Sequence, residues 1–476
     1  MSQLLNMNKN RPIERYLVLY LPWALALLFQ SDPILSYFIA WLGSLLILYL
    51  TMSGWIRPIP RDRAIAEQLM RPIFLVQIIF IGYMAVSSIF YFLNVLGFED
   101  FHRTSNSYFS VDQENLELTA ICQRYYVLGH AAFVTGVIAF MKYPDKQKYH
   151  VQKEKLANVL LLIALIALPV SVAFSKVAGL SQFYYQYSSL SFIAGTLALA
   201  FAIPLKKIGN TILCALLFGS NFYQALTSGF KEPIIISVLV LGVFLYPNYK
   251  KLVLVIFIPA LLILFALLPT FNKVFRENNW EGDVAADDAY SLALDAAINH
   301  NESSKDDTEW AFLVFRLSEI DMFTTFVKST PANIDYYGFQ LLQQSAIAVV
   351  PRIFWPAKPI TEELAMQRVY DAGVVQRGSS ASAKTAFIVD AYLSDGTLGV
   401  FIALFLYGAI AQLISLQAEH LFGGYILGTA LVFTGLFQIF WRGLNFEFII
   451  NAVFWSYISM LMLFRVLRAI GVLKEI

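Results

Sequence analysis

Charge is scarce in this sequence. Of its 476 residues 14% are Asp, Glu, Lys or Arg, and 58% are hydrophobic. A soluble domain carries about 25% charged residues, so the composition excludes an ordinary water-soluble enzyme and points to a bilayer protein. An excess of either sign is also missing. The net charge is +1, which leaves no overall field for nucleic acid. Cysteine is nearly absent. Cys122 and Cys214 lie far apart, without the spacing of a zinc site or a disulfide framework, and are expected to pack as small apolar residues. The five histidines are scattered and none makes a His-x-x-x-His pair, so no metal site is expected. There is no phosphate-binding glycine loop, which argues against direct use of ATP, and no Gly-x-Ser-x-Gly elbow. Internal repeats and low-complexity tracts are missing too. Residues 1–15 are polar and basic with no cleavage site, so the first apolar segment is expected to be retained rather than removed as a signal peptide.

What is present is a long series of apolar runs. A spanning helix needs about 20 mostly apolar residues. On that measure about twelve candidates run through 16–31, 34–54, 72–97, 124–141, 157–178, 187–204, 211–229, 233–247, 252–270, 396–417, 423–441 and 446–464. Phe (40) and Tyr (25) are abundant, as expected where aromatic rings sit at bilayer interfaces. Cations then set an orientation. Arg11 and Arg15, Arg57 to Arg71, Lys142 to Lys155, Lys206 and Lys207, Lys250 and Lys251, and Arg465 to Lys474 all fall on one side of a twelve-span chain. The positive-inside rule makes that side cytoplasmic, both termini with it. The expected fold is therefore an all-α polytopic membrane protein. It divides into an N-terminal bundle of about nine spans (1–270), one large outer loop (271–395) and a C-terminal bundle of about three spans (396–476).

The loop is the unusual part. Residues 281–307 are acidic, polar and expected to be mobile. Phe312, Phe315, Ile320, Phe323 and Phe326 recur at helical spacing, which predicts an amphipathic helix against the bundle. Residues 338–350 predict a short interfacial or re-entrant helix ended by Pro351, and 361–371 another helix with Thr361 as N-cap. Between them lies Pro351-Arg352-Ile353-Phe354-Trp355-Pro356-Ala357-Lys358-Pro359, a stiff turn in which proline restricts the backbone around two cations. Arg352 and Lys358 suit phosphate oxygens, and the Trp355 face suits a sugar ring. The same three residues would equally anchor a segment at lipid headgroups. The polar run that follows, from Arg377 to Thr385, contains Lys384. A large, cation-bearing loop of this kind suits an anionic or sugar-like substrate.

Other polar residues have two readings each. Arg316 lies on the amphipathic segment near Glu319, at a spacing that also permits an ordinary surface pair. Lys231 follows a polar stripe that includes Ser220, Asn221, Gln224 and Thr227, suited to a cavity or to interhelical hydrogen bonds. Asp395 is expected to cap the next span, whereas Asp390 is less easily explained. His130 is expected to be a hydrogen-bonded core residue. Arg442 and Glu447 are expected to pair.

Three segments carry a family resemblance. Residues 350–359 look like a Pro-Arg…Trp-Pro-x-Lys-Pro segment. Residues 387–399, with Asp390, Tyr392, Gly396 and Gly399, look like the entry to a following span. Thr227-Ser228-Gly229-Phe230-Lys231 looks like a small-residue turn that usually ends in arginine. With the overall layout, these make the chain resemble the Wzy-type O-antigen and exopolysaccharide polymerases of bacterial inner membranes. The resemblance implies a glycosyltransferase, independent of nucleotide and metal, that joins polyprenyl-diphosphate-linked oligosaccharide repeat units on the periplasmic face. It implies a large periplasmic loop, membrane lipid around the site, and a chain-length regulator as a candidate partner. On this reading Arg316, Arg352, Lys358 and Lys231 stabilise the diphosphate, and Asp390, then Glu319, activates the acceptor hydroxyl. Trp355, Arg377, Lys384 and Tyr392 complete the substrate contacts. A glycan ligase using the same donor and a lipid-linked glycan flippase are the alternatives. A flippase would be expected to show two similar halves with midplane sites.

Overall fold

Apolar runs of this length can satisfy their backbone in a bilayer only as helices or closed barrels, and the chain takes the helical course. The computed structural model describes residues 13–143, 147–151, 153–177, 179–227, 232–279, 284–298, 305–315, 317–377 and 383–476. It is mostly helical, at 74%. Among the described residues six helices are long and apolar enough to cross a membrane. They are Pro33–Met52, Leu75–Val95, Lys155–Lys176, Ile234–Asn279, Phe387–Leu421 and Phe446–Ala469. The fourth, sixth and seventh expected spans are the single helices Gln113–Phe140, Tyr184–Ala202 and Ile208–Leu226, and others take less simple forms. The first is the eight-residue helix Leu21–Leu28. The eighth and ninth join in Glu232–Asn279, which breaks at Tyr249, where φ is −135°. The eleventh is the short helix Ile426–Leu436.

At the centre, helix Gln113–Phe140 lies against Phe387–Leu421. Lipid tails are as apolar as leucine, so helices in a bilayer associate through close packing rather than by escaping water. Glycine supplies that closeness here. A Cβ on Gly136 would collide with the Phe405 carbonyl, and one on Gly408 with the Phe133 carbonyl. Gly129 faces Ile388, Val400 and Leu404, and Gly136 faces Phe405 and Ala409. Both helices therefore run in the same direction, and their ends define the two ends of the molecule.

The expected large loop is itself folded. Its acidic stretch contains helix Ala286–Ile298. Ala289, Ala293 and Ala297 form a buried stripe on it, against Phe271 and Phe275 of the preceding helix. Alanines four apart gave that stripe no apolar bulk, so it read as polar chain. The single amphipathic helix is in fact two, Lys305–Phe315 and Ile320–Ser329. Glu319 separates them at φ 53°, a left-handed conformation uncommon for a residue with a Cβ. Ile320, Phe323 and Phe326 are buried as the spacing required, whereas Phe315 is exposed. Helix Gln340–Val349 stops before Pro351, and Thr361–Asp371 is helical with Ile360, not Thr361, at the N-cap position.

These loop elements gather where the two central helices begin. The Trp310 indole donates to Asn94 (3.3 Å), Tyr126 donates to the Ser318 carbonyl (3.4 Å) and Lys328 meets Glu114 (2.9 Å). The basic segments gather at the other end. Strand Tyr149–His150 pairs antiparallel with Lys474–Glu475, and Arg57 caps the end of Gln113–Phe140 by donating to the Ile138 and Ala139 carbonyls.

Candidate functional site

The two segments from the large loop that carry the family resemblance lie at the loop end, linked through residues 330–349. Helix Phe387–Leu421 starts earlier than expected and includes Asp390 in its first turn. It breaks at Asp395 and Gly396, the latter at φ 51°. Tyr336 packs against Gly396, and the Tyr337 and Gly338 amides donate to the Leu393 and Ser394 carbonyls (both 2.9 Å). The Tyr392 hydroxyl, buried, donates to the Thr330 carbonyl (2.6 Å). One strand of loop is thereby fixed along the helix break. Helix Gln340–Val349 follows and leads into the proline turn.

In that turn both cations point back into their own backbone. Arg352 donates to the Lys358 carbonyl (2.9 Å) and the Pro359 carbonyl (3.3 Å). The buried Lys358 ammonium donates to the Val350 (2.7 Å) and Ala348 (3.1 Å) carbonyls. These bonds close the C-terminal end of helix Gln340–Val349, whose last carbonyls lack helical partners. Burial, with Arg352 alongside, holds the Lys358 ammonium below its usual pKa. Gly179 lets another segment approach closely, since a Cβ there would strike the Ile353 amide. The indole of Trp455 donates to the Val349 carbonyl (2.7 Å). The geometry thus gives Arg352 and Lys358 a holding role, while Ile353, Phe354 and Trp355 are exposed.

Behind the turn lies a buried charge cluster centred on Arg368, a residue the sequence reading passed over. Its guanidinium forks onto Glu447 (2.6 and 3.0 Å), and reaches Gln344 (2.9 Å) and Asp390 (3.4 Å). Asp390 also accepts from the Thr385 hydroxyl (2.7 Å) and the Phe446 amide (2.9 Å). Arg368, Asp390 and Glu447 are 2%, 0% and 3% exposed, so each charge depends on its partners. Burial alone would push the guanidinium down, but Asp390 and Glu447 outweigh it and hold its pKa above the usual value. Asp390 thus accepts from three donors and is shut from solvent. The expected pair of Arg442 with Glu447 does not form, because Arg368 occupies Glu447. A cation on the buried side of 361–371, beside Ala365 and Val369, was the signal available for Arg368.

The remaining candidates surround this cluster loosely or lie outside it. Arg377 is exposed and pairs with Asp371 (2.7 Å). Lys384 lies 3.8 Å from Glu362 and 5.7 Å from the Phe448 ring. Glu319 is beside the buried start of Ile320–Ser329. Arg316 and Lys231 lie outside the described residues. In the polar stripe before Lys231, Asn221 is buried but Ser220 and Gln224 are exposed, so it does not line a single surface. His130 is buried, its Nε2 3.2 Å from Gln77. Cys122 and Cys214 are free and buried. Among the described residues no group of three or more His, Cys, Asp and Glu side chains could hold a metal ion.

The opposite end carries a second clamp. Arg71 forks onto Glu419 (2.9 and 3.0 Å) and onto Asp62 (both 2.8 Å), and donates to the Gln68 side-chain oxygen (2.8 Å). The Tyr143 ring lies 3.8 Å from its guanidinium carbon. Counted by sequence as a surface cation, Arg71 is 1% exposed.

A family model covers both ends. Residues 21–475 match the model described as a domain of unknown function, DUF8712. The chain belongs to the DUF8712 family. The match takes in the Arg71 clamp, the glycine seam and the Arg368 cluster together, so a DUF8712 unit comprises both ends of the bundle. No curated protein and no solved structure matches the chain.

Proposed function

We propose that the protein is an inner-membrane polysaccharide polymerase that joins polyprenyl-diphosphate-linked repeat units on the periplasmic face. One observation carries this reading. Residues 350–359 and 387–399, apart in sequence and each resembling a polymerase segment, converge on one end of the bundle. The basic segments at the other end support assigning the motif end to the periplasm. Both termini are then cytoplasmic, and the expected count of about twelve spans belongs to the same reading.

In the reaction, a hydroxyl oxygen of the incoming unit bonds to the anomeric carbon of the growing glycan. The bond from that carbon to the diphosphate breaks, the electron pair leaves with the polyprenyl diphosphate, and the hydroxyl proton passes to a base. Fixed positive charge near the departing diphosphate lowers the barrier. Arg352 and Lys358 hold the turn in shape, and exposed Arg377 and Lys384 supply cations at its rim. Arg316 and Lys231 stay in the proposal as cations, and Asp390, then Glu319, as the base. Ile353, Phe354 and Trp355 form an apolar ledge suited to lipid and to a sugar face.

Deletion of the gene, with electrophoresis of the surface polysaccharide, tests the reading. A lost ladder with single repeat units remaining, not restored by Arg352→Ala present at wild-type level in the membrane, is the expected result. Polymer accumulating on carrier lipid would make it a ligase. Repeat units missing from the outer face would make it a flippase, and an unchanged ladder would end the proposal.

A further inference from the structure

We propose that the end opposite the motif segments contains a binding site for a phosphate-bearing ligand. The inference does not depend on the polymerase reading. A cavity of about 1010 Å³ opens beside the Arg71 clamp, at the upper end of the usual size for ligand pockets. Its walls come from segments distant in sequence: 57–63, Met141 to Tyr143 with Gln147, Glu419 with Gly424 and Tyr425, and Ile476.

The charge on those walls does not balance. Arg57, Arg61, Arg63, Arg71 and Lys142 face Asp62 and Glu419. Both carboxylates are engaged by Arg71, which is buried and is part of the floor. Burial raises the Asp62 carboxyl, but the Arg71 hydrogen bonds and charge outweigh it and hold its pKa below 3.8. These two acids therefore neutralise the floor and little else. Arg63 lies with its guanidinium carbon 4.4 Å from the Tyr425 ring centre. Its Nε reaches Asp62 at 3.3 Å, which fixes the plane of the fork. Arg57 is tied to helix-end carbonyls. Arg61 and Lys142 are exposed and form no ion pair among the described residues.

This arrangement meets what a phosphate group requires. A buried pair sets the base, a stacked arginine presents an oriented fork, and two exposed cations complete the lining. Arginine forks match phosphate oxygens in geometry, and lysine adds a compact charge. The apolar part of the wall includes Pro58, Pro60, Met141 and the rings of Tyr16, Tyr143 and Tyr425. Such a wall at the end of a helix bundle accepts the glycerol or alkyl portion of a lipid headgroup, and the cations accept its phosphate. A soluble diphosphate would use the same cations.

The test uses the purified full-length protein. Inorganic pyrophosphate is titrated at constant ionic strength while thermal unfolding is followed. In parallel, lipid-exchange mass spectrometry reads retained phosphatidylglycerol after reconstitution in mixed phosphatidylglycerol and phosphatidylcholine nanodiscs. Arg61→Gln with Lys142→Gln is expected to weaken binding about tenfold or more, each lost contact being a charge-assisted hydrogen bond. Lys250→Gln with Lys251→Gln, outside the cavity, is the control and should bind like wild type. Loss of phosphatidylglycerol retention identifies a lipid ligand, and loss of the pyrophosphate response alone identifies a soluble one. If wild type binds neither probe, or the Arg61/Lys142 variant binds both as well as wild type does, the proposal fails. Unfolding without ligand shows whether each variant is folded.

Discussion

The two arginine clamps are built alike and placed oppositely. Arg71 and Arg368 are 1% and 2% exposed, and each forks onto a glutamate and reaches an aspartate. Helix Phe387–Leu421 supplies an acid to each, Glu419 near its end and Asp390 near its start. What differs is the surroundings. Around Arg368 both carboxylates are sealed in, and the cluster joins Gln340–Val349, Thr361–Asp371 and the starts of the last two long spans. Around Arg71 one carboxylate, Asp62, is 43% exposed, and further cations open onto the cavity. The same ion-pair chemistry thus closes one end and leaves the other receptive. A buried arginine alone does not indicate a binding site; the balance of charge beyond its own partners does.

The largest difference should appear on removing each arginine. Breaking a sealed ion pair costs about 3–5 kcal/mol because the partner charges stay buried. Arg368→Ala is expected to lose that much in unfolding of the detergent-purified protein. Arg71→Ala should lose less, since Asp62 regains water. Equal losses would show that both ends are sealed alike.

A smaller effect separates the ends by pH. The Asp62 carboxyl lies lower in the folded than in the unfolded chain, so its stabilisation is complete above the ordinary value of 3.8. It is lost as pH falls through the depressed folded value. Wild type should therefore show an acid decline in melting temperature below about pH 4 that Asp62→Asn reduces. An unchanged acid limb in that variant would remove Asp62 from the clamp.

The smallest stability effect belongs to the motif rim. Trp355→Ala should change unfolding by less than about 0.5 kcal/mol, as exposed substitutions do, while shortening the polysaccharide ladder. A loss as large as that of Arg368→Ala would mean that the indole supports the turn rather than facing substrate.

Much of this contrast was legible as chemistry but not as partnership. Hydropathy gave the membrane class, the proline at 351 gave the end of its helix, and alternating cations anticipated that 57–71, 142 and the tail would share an end. The pairing of Arg71 with Glu419 joins residues 348 positions apart, and no local pattern connects them. Arg368 sits in Thr-Glu-Glu-Leu-Ala-Met-Gln-Arg-Val-Tyr-Asp, which reads as a solvated helix until tertiary packing turns its arginine inward. The Pro-Arg…Lys-Pro turn pointed to cations, and in the fold those cations donate to the carbonyls of the turn and of the helix end before it.

The break at Asp395 and Gly396 gives the shared helix a consequence for chain length in evolution. From Gly396 to Glu419 the helix rises about 35 Å, and each residue turns it about 100°. One residue inserted there would rotate Glu419 away from Arg71 but leave Asp390 in place, because the segment before the break is held separately by Thr385, Phe446 and Tyr336. Homologues should therefore keep the number of residues after the break fixed, while differences in length collect elsewhere in the chain.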